Sequence, residues 1–150
     1  MYHHILVPID GSPTAERGLR EAIRLAAEQK GKLRLLHVVD DFPMLMEMSS
    51  ISSFEAGLQK MRSYGESVLA AGKAAAARSE VEADTILCEA ARGRIADVVI
   101  EDAKNSACDL IVMGTHGRRG FSRLALGSDA DLVVRGSPVP VLLVRQESGG

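Results

Sequence analysis

Five short apolar runs, separated by longer stretches with helical spacing, constrain this chain more than any other feature. Residues 5–9 (ILVPI), 33–39 (LRLLHVV), 81–88 (VEADTILC), 108–113 (CDLIVM) and 139–144 (VPVLLV) are rich in Val, Ile and Leu. Short runs of this kind suit strands buried between two layers. After the first run, Ser12 can cap a helix, Pro13 suits its first position and Glu16 lies near its first turn. Leu19, Ala22, Ile23, Ala26 and Ala27 then recur at helical spacing, and Gly31 is expected to close that helix. A long helix is predicted over 54–78 and a third over 92–104, with Ile95, Val98, Val99 and Ala103 facing inward. A short fourth is predicted over 128–135. The stretch 40–53, with Pro43, Met44, Met46 and Met48, reads as a loop with a short helical turn, and its methionines as adaptable packing. The resulting order, β-α-β-α-β-α-β-α-β, predicts an α/β fold: a doubly wound, five-stranded, mostly parallel sheet with helices on both faces and right-handed crossovers. The run 81–88 alternates apolar and polar residues and is expected towards an edge. No internal repeat or second domain is seen, so 1–150 reads as one domain.

Several function classes recede on composition. Net charge is −2 and aromatics are 3% with no Trp, so neither a basic footprint nor a base-stacking platform for nucleic acid is expected. The start lacks a basic leader, and no run approaches the ~20 apolar residues of a membrane span. A cytoplasmic protein with no membrane partner is therefore expected. Cys88 and Cys108 read as buried free thiols rather than a disulfide. His3, His4, His37 and His116 show no ligand spacing with them, so no metal site is expected.

In doubly wound sheets, ligands sit beyond the carboxyl ends of strands where the strand order reverses. The first and fourth strands are the natural neighbours at such a point. They end at Asp10-Gly11-Ser12 and Gly114-Thr115-His116-Gly117. The second end opens the segment MGTHGRRGFSRLALGSDADLVV, with glycines at 114, 117, 120 and 127 and Ser128 after the last. A glycine straight after a strand lets the backbone turn sharply and approach a ligand. Successive free N–H groups make an anion nest, and the helix opening at Ser128 adds unpaired N–H groups and a positive dipole end. Arg118, Arg119 and Arg123 lie between. The bland reading is a strand-to-helix loop that needs glycine only for turning. The order Gly-x-x-Gly, nine residues, Gly-Ser is more specific than that.

This segment resembles the Gly-x-x-Gly-x9-Gly-Ser/Thr signature of the nucleotide-binding branch of the universal stress protein family. ILVPIDGS, LLHVV, DLIVMGTHGRRG and SPVPVLLVR agree with the same family, so the resemblance covers nearly the whole chain. It implies a Rossmann-like fold of the adenine nucleotide alpha hydrolase type, usually dimeric, and ATP as ligand with Mg²⁺ carried by the nucleotide. It places Pro8, Asp10 and Val38 at the adenosine end, with Asp10 near the ribose or a phosphate-bound cation. Met113, Gly114, His116 and Gly117 would contact ribose and phosphates, and Gly127, Ser128 and the backbone of Asp129 the distal phosphates. Asp129 departs from the pattern, in which an apolar residue often follows Gly-Ser. Plainer roles stay open: Asp10 as a helix cap, His116 as a solvated loop residue, His37 as a core histidine, Asp129 and Asp131 as dipole-offsetting acids.

The leading functional expectation is an ATP-binding stress-response or regulatory protein, with nucleotide-dependent conformation or choice of a protein partner. A slow ATPase or nucleotidyl-transfer enzyme is the alternative, and a dimeric scaffold with an unused site a third. No catalytic residue is assigned. No Gly-x-x-x-x-Gly-Lys-Ser/Thr loop or Gly-x-Ser-x-Gly elbow occurs, and His116 is the one acid–base group in the loop, with no orienting partner in sequence. A homodimer is expected through the last strand, which is apolar on both faces and carries Pro140 as an edge strand can.

Overall fold

The computed structural model describes residues 1–40, 51–90, 94–115 and 126–146. The expectations for the methionine stretch and for His116 and Gly117 lie outside them. The elements run β1 (His4–Pro8), α1 (Pro13–Gln29), β2 (Lys32–Asp40), α2 (Ile51–Arg78), β3 (Ala83–Ala90), α3 (Ile95–Asn105), β4 (Leu110–Gly114), α4 (Ser128–Gly136) and β5 (Val141–Val144). Every pairing is parallel and the strand order is β3-β2-β1-β4-β5. The order therefore reverses between β1 and β4, where the alternation of the sequence placed the crevice.

Strand alternation divides the core into two layers. Ile5, Val7, Ile9, Leu33, Leu35, Leu110 and Val112 face Leu19, Ala22, Ile23 and Ala26 of α1 and Leu69 and Ala76 of α2. Leu6, Leu36, Ile111 and Met113 face Ala96, Val99 and Ala103 of α3 and Ala130 and Val133 of α4. Successive residues of β1 thus serve opposite layers, and Ile5, Leu6 and Val7 are all fully buried. Each such side chain contributes about 1.5–3 kcal/mol of transfer free energy.

Arg34, one of the polar residues in the second strand, has its own partner. Arg34 donates from Nε and a terminal nitrogen to both carboxylate oxygens of Asp102, each at 2.8 Å. This fork ties β2 to α3 beside the second layer. Its hydrogen bonds to Asp102 raise the Arg34 pKa, outweighing burial, so the guanidinium stays charged.

Three local readings need correction. The left-handed residue that ends α1 is Lys30 (φ 57°), not Gly31. The amide of Gly31 bonds the Ala26 carbonyl at 2.9 Å. The third strand begins at Ala83 rather than Val81, because the Val81 amide is used to cap α2 on the Ala76 carbonyl at 2.9 Å. β5 is covered unevenly: Val141 and Leu143 pack against the layer of α3 and α4, while on the other face Val144 is buried but Leu142 is 39% exposed. An edge strand at the end of the sheet has helices over only part of its length. Cys88 and Cys108 are free thiols. Burial pushes both up from the usual thiol value, so they stay protonated at neutral pH. Among the described residues, no helix is long and apolar enough to cross a membrane.

Candidate functional site

The expected residues arrive at the carboxyl edge of the sheet from two sides. Val38 and Met113 both belong to the layer under α3 and α4. Pro8 stands two residues beyond Leu6 on β1, so alternation puts it on that same face. Pro8, Val38 and Met113 therefore lie near the ends of three adjacent strands, β1, β2 and β4, and form one apolar shelf. Their spacing in sequence hides this, since it depends on the parallel register Pro8↔Leu36 and on β4 pairing with β1.

Asp10 follows β1 directly. Its Oδ1 accepts the Ser12 amide at 2.9 Å, closing a tight turn before α1. Gly11 inside that turn has φ 82°, a left-handed conformation that glycine adopts without steric cost. Ser12 then caps α1, its Oγ accepting the Ala15 amide at 3.2 Å. The capping role expected of Ser12 is present, and the carboxylate of Asp10 orders the turn that leads into it.

Gly114 has a different reason for being glycine than the loop pattern suggested. It is the last residue of β4, with no positive φ. A Cβ there would lie 2.9 Å from the Thr14 carbonyl oxygen and 3.0 Å from its carbon. Gly18, one turn along α1, sits against the Gly114 amide, where a Cβ would meet the nitrogen at 3.3 Å. Two glycines thus let α1 lie almost on the strand end, and sharp turning is not what Gly114 provides.

The segment from β4 to α4 is drawn together at its neck. The Thr115 amide bonds the Val144 carbonyl at 3.0 Å, continuing the β4–β5 pairing. The Thr115 carbonyl accepts the Gly127 amide at 2.8 Å. The strand end and the helix start are therefore adjacent, although twelve positions apart in sequence (115 and 127). Gly127 is the N-cap of α4 and has no side chain to occupy the cap; the Asp131 amide bonds its carbonyl at 3.0 Å. Amides in the first turn of a helix have no intrahelical acceptor and carry the positive end of the dipole. Ser128 is exposed there and Asp129 half-buried. The cap chemistry suits an anion, whereas Asp129 and Asp131 add negative charge to the same turn.

Two residues escaped the sequence reading. Thr115 supplies both sides of the neck, and its place between the glycines of GTHG was the available signal. Tyr64 of α2 donates to the Asp10 carbonyl at 3.0 Å. Its signal was the neighbouring Gly65, where a Cβ would collide with the His37 ring, marking the face of α2 pressed to the sheet. His37 is buried as expected, its Nδ1 donating to the Ile9 carbonyl at 2.8 Å.

A parallel sheet whose order reverses at β1 and β4, with a glycine-capped helix drawn against the end of β4, defines a doubly wound α/β protein with its crevice at that reversal. The chain belongs to the universal stress protein family, which it matches over residues 1–145. It is 32% identical to the universal stress protein MJ0531 of Methanocaldococcus jannaschii, covering 97% of this chain and 84% of that protein. It is 33% identical to YxiE of Bacillus subtilis, covering 97% and 100%. Among solved structures, UspA of Lactobacillus plantarum superposes with a TM-score of 0.82 at 26% identity, covering 96% of this chain and 98% of that one. A family protein of Arabidopsis thaliana, solved with AMP bound, shares the fold with a TM-score of 0.72 at 16% identity, covering 97% and 93%.

Proposed function

We propose that this protein binds an adenine nucleotide at the β1–β4 reversal and acts as a nucleotide-dependent regulatory protein, with ATP and its accompanying Mg²⁺ as the preferred ligand. The observation that carries this reading is the neck at Thr115 and Gly127, which sets the glycine-capped start of α4 beside the strand end. The apolar shelf of Pro8, Val38 and Met113 suits a purine and ribose, and Asp10 stands at the same edge. The amides at Ser128 and Asp129 suit the distal phosphates, and His116 and Gly117 fall in the sequence between the neck residues. The AMP-bound relative supports an adenine nucleotide as the ligand class. Bound nucleotide supplies charge and a contact surface; the chain's own part is to hold it and to change its presented surface with occupancy.

Mass spectrometry of ligand released from freshly purified protein, followed by calorimetry, tests this. Adenine nucleotide is expected, and absence of measurable ATP binding would remove the reading. Asp129→Asn should tighten ATP more than AMP. A carboxylate ~6 Å from a phosphate oxygen repels it by about 0.7–2.8 kcal/mol per unit charge, across dielectrics of ~80 to ~20. The difference should shrink at high salt. Equal changes for both nucleotides would show that the carboxylate lies away from the phosphates.

The edge of β5 supports a homodimer in the same reading. Leu142 on β5 and Leu132 and Val134 on α4 are 39%, 53% and 45% exposed. An apolar strand edge is an aggregation hazard unless it is paired, and a twofold pairing of β5 with its copy closes it. Light scattering should report twice the chain mass at micromolar concentration. Leu142→Asp, which puts a carboxylate on that apolar strand, should return the monomer.

A further inference from the structure

Beyond Pro8, β1 leaves the regular ladder, and the next two carbonyls, Ile9 and Asp10, are each captured by a side chain from outside the turn. His37 Nδ1 donates to the Ile9 carbonyl at 2.8 Å, and Tyr64 Oη donates to the Asp10 carbonyl at 3.0 Å. The two rings support each other in an edge-to-face arrangement, 6.1 Å between centroids and 69° between planes. The amide of Ile9 is held as well, on the Leu36 carbonyl at 2.8 Å. Gly11, at φ 82°, lies directly under the Tyr64 hydroxyl, which a Cβ at that position would strike. Strand ends shed ladder partners, and a carbonyl leaving the sheet is ordinarily left to water. Here two consecutive ones are fixed.

The layers make this arrangement informative. Tyr64 belongs to α2, whose Leu69 and Ala76 pack in the layer of Ile9. The shelf of Val38 and Met113 belongs to the opposite layer. Tyr64 therefore grips the backbone of Asp10 from the side of the sheet away from that shelf. The next backbone amide but one, Ser12, is held by the carboxylate of Asp10 at 2.9 Å. Holding the carbonyl restricts the peptide plane that sets where this carboxylate can reach.

From this juxtaposition we propose that Tyr64, braced by His37, is a positioning residue that holds the Asp10 turn in its ligand-ready form, an inference that rests on the nucleotide reading above. The aromatic pair couples α2 to the turn that carries the carboxylate at the ligand crevice. A neutral hydroxyl-to-carbonyl bond of this kind is worth about fivefold in an equilibrium.

Tyr64→Phe keeps the ring and removes the hydrogen bond. It should weaken ATP about fivefold in calorimetry with little change in thermal midpoint. The same substitution in an Asp10→Ala background should have no further effect on ATP, because the carboxylate that the bond positions is gone although the backbone carbonyl remains. Amide exchange read by NMR should quicken at Gly11 and Ser12 in Tyr64→Phe while the β1 interior stays protected. Equal weakening in both backgrounds would overturn the proposal, since Tyr64 would then act without Asp10. So would unchanged ATP affinity in Tyr64→Phe when the wild type binds. If the wild type binds no nucleotide, the functional reading fails separately. The exchange experiment then decides the positioning role alone, and unchanged rates at Gly11 and Ser12 would overturn it.

Discussion

Gly114→Ala is expected to destabilise the protein by about 2–3 kcal/mol, in the range of an overpacked core, with a fall in thermal midpoint of roughly 4–12 °C. The new methyl would sit 2.9 Å from the Thr14 carbonyl oxygen and 3.0 Å from its carbon. Those are backbone atoms in the first turn of α1, held by the Ser12 cap, so no rotamer change relieves the collision. Either α1 lifts from β4 or the strand end shifts. Gly18→Ala is the built-in comparison. Its methyl would meet the Gly114 amide nitrogen at 3.3 Å, a contact that a few tenths of an ångström relieves, and the better helix propensity of alanine offsets part of the cost. Its effect should be smaller. Chemical denaturation of the two variants checks the order. A neutral Gly114→Ala would mean that α1 does not rest on the strand end.

Asp102→Ala should cost about 3 kcal/mol, the scale of breaking a largely buried pair by removing one partner. Arg34 is 22% exposed on its side chain and Asp102 10%. Two hydrogen bonds of 2.8 Å vanish, and the guanidinium, which cannot shed its proton at any pH of interest, stays between β2 and α3 without its carboxylate. The companion Arg34→Met/Asp102→Ala removes the stranded charge as well. It should be less destabilised than Asp102→Ala alone, a coupling that urea denaturation measures directly. If the double variant is the less stable of the two, the fork is not what sets the cost.

Both predictions concern contacts absent from any single run of sequence, and the same division holds for the site. Alternating apolar runs and helix-spaced stretches were enough to expect the parallel α/β order, the β1–β4 neighbourhood, the edge positions of β3 and β5 and the buried His37. Those follow from local periodicity and the few crossovers that chirality allows. The glycine spacing around Gly114, Gly127 and Ser128 was likewise legible and carried the family resemblance, because a motif records local backbone needs.

What the tertiary structure decided is which residues meet and why. Gly114 looked like a turning residue and is a packing residue, since its constraint comes from Thr14 a hundred positions earlier. Lys30 rather than Gly31 took the left-handed cap, a choice of one residue at a helix end that local pattern does not resolve. Tyr64 showed nothing in sequence beyond a neighbouring glycine, yet it grips the Asp10 carbonyl. The reason is common to all three. Periodicity reports which way a residue faces within its own element. The distance between two elements is set by the packing of every side chain between them, and only the folded sheet brings the face of α2 to the end of β1, and the start of α4 to the end of β4, within hydrogen-bond reach.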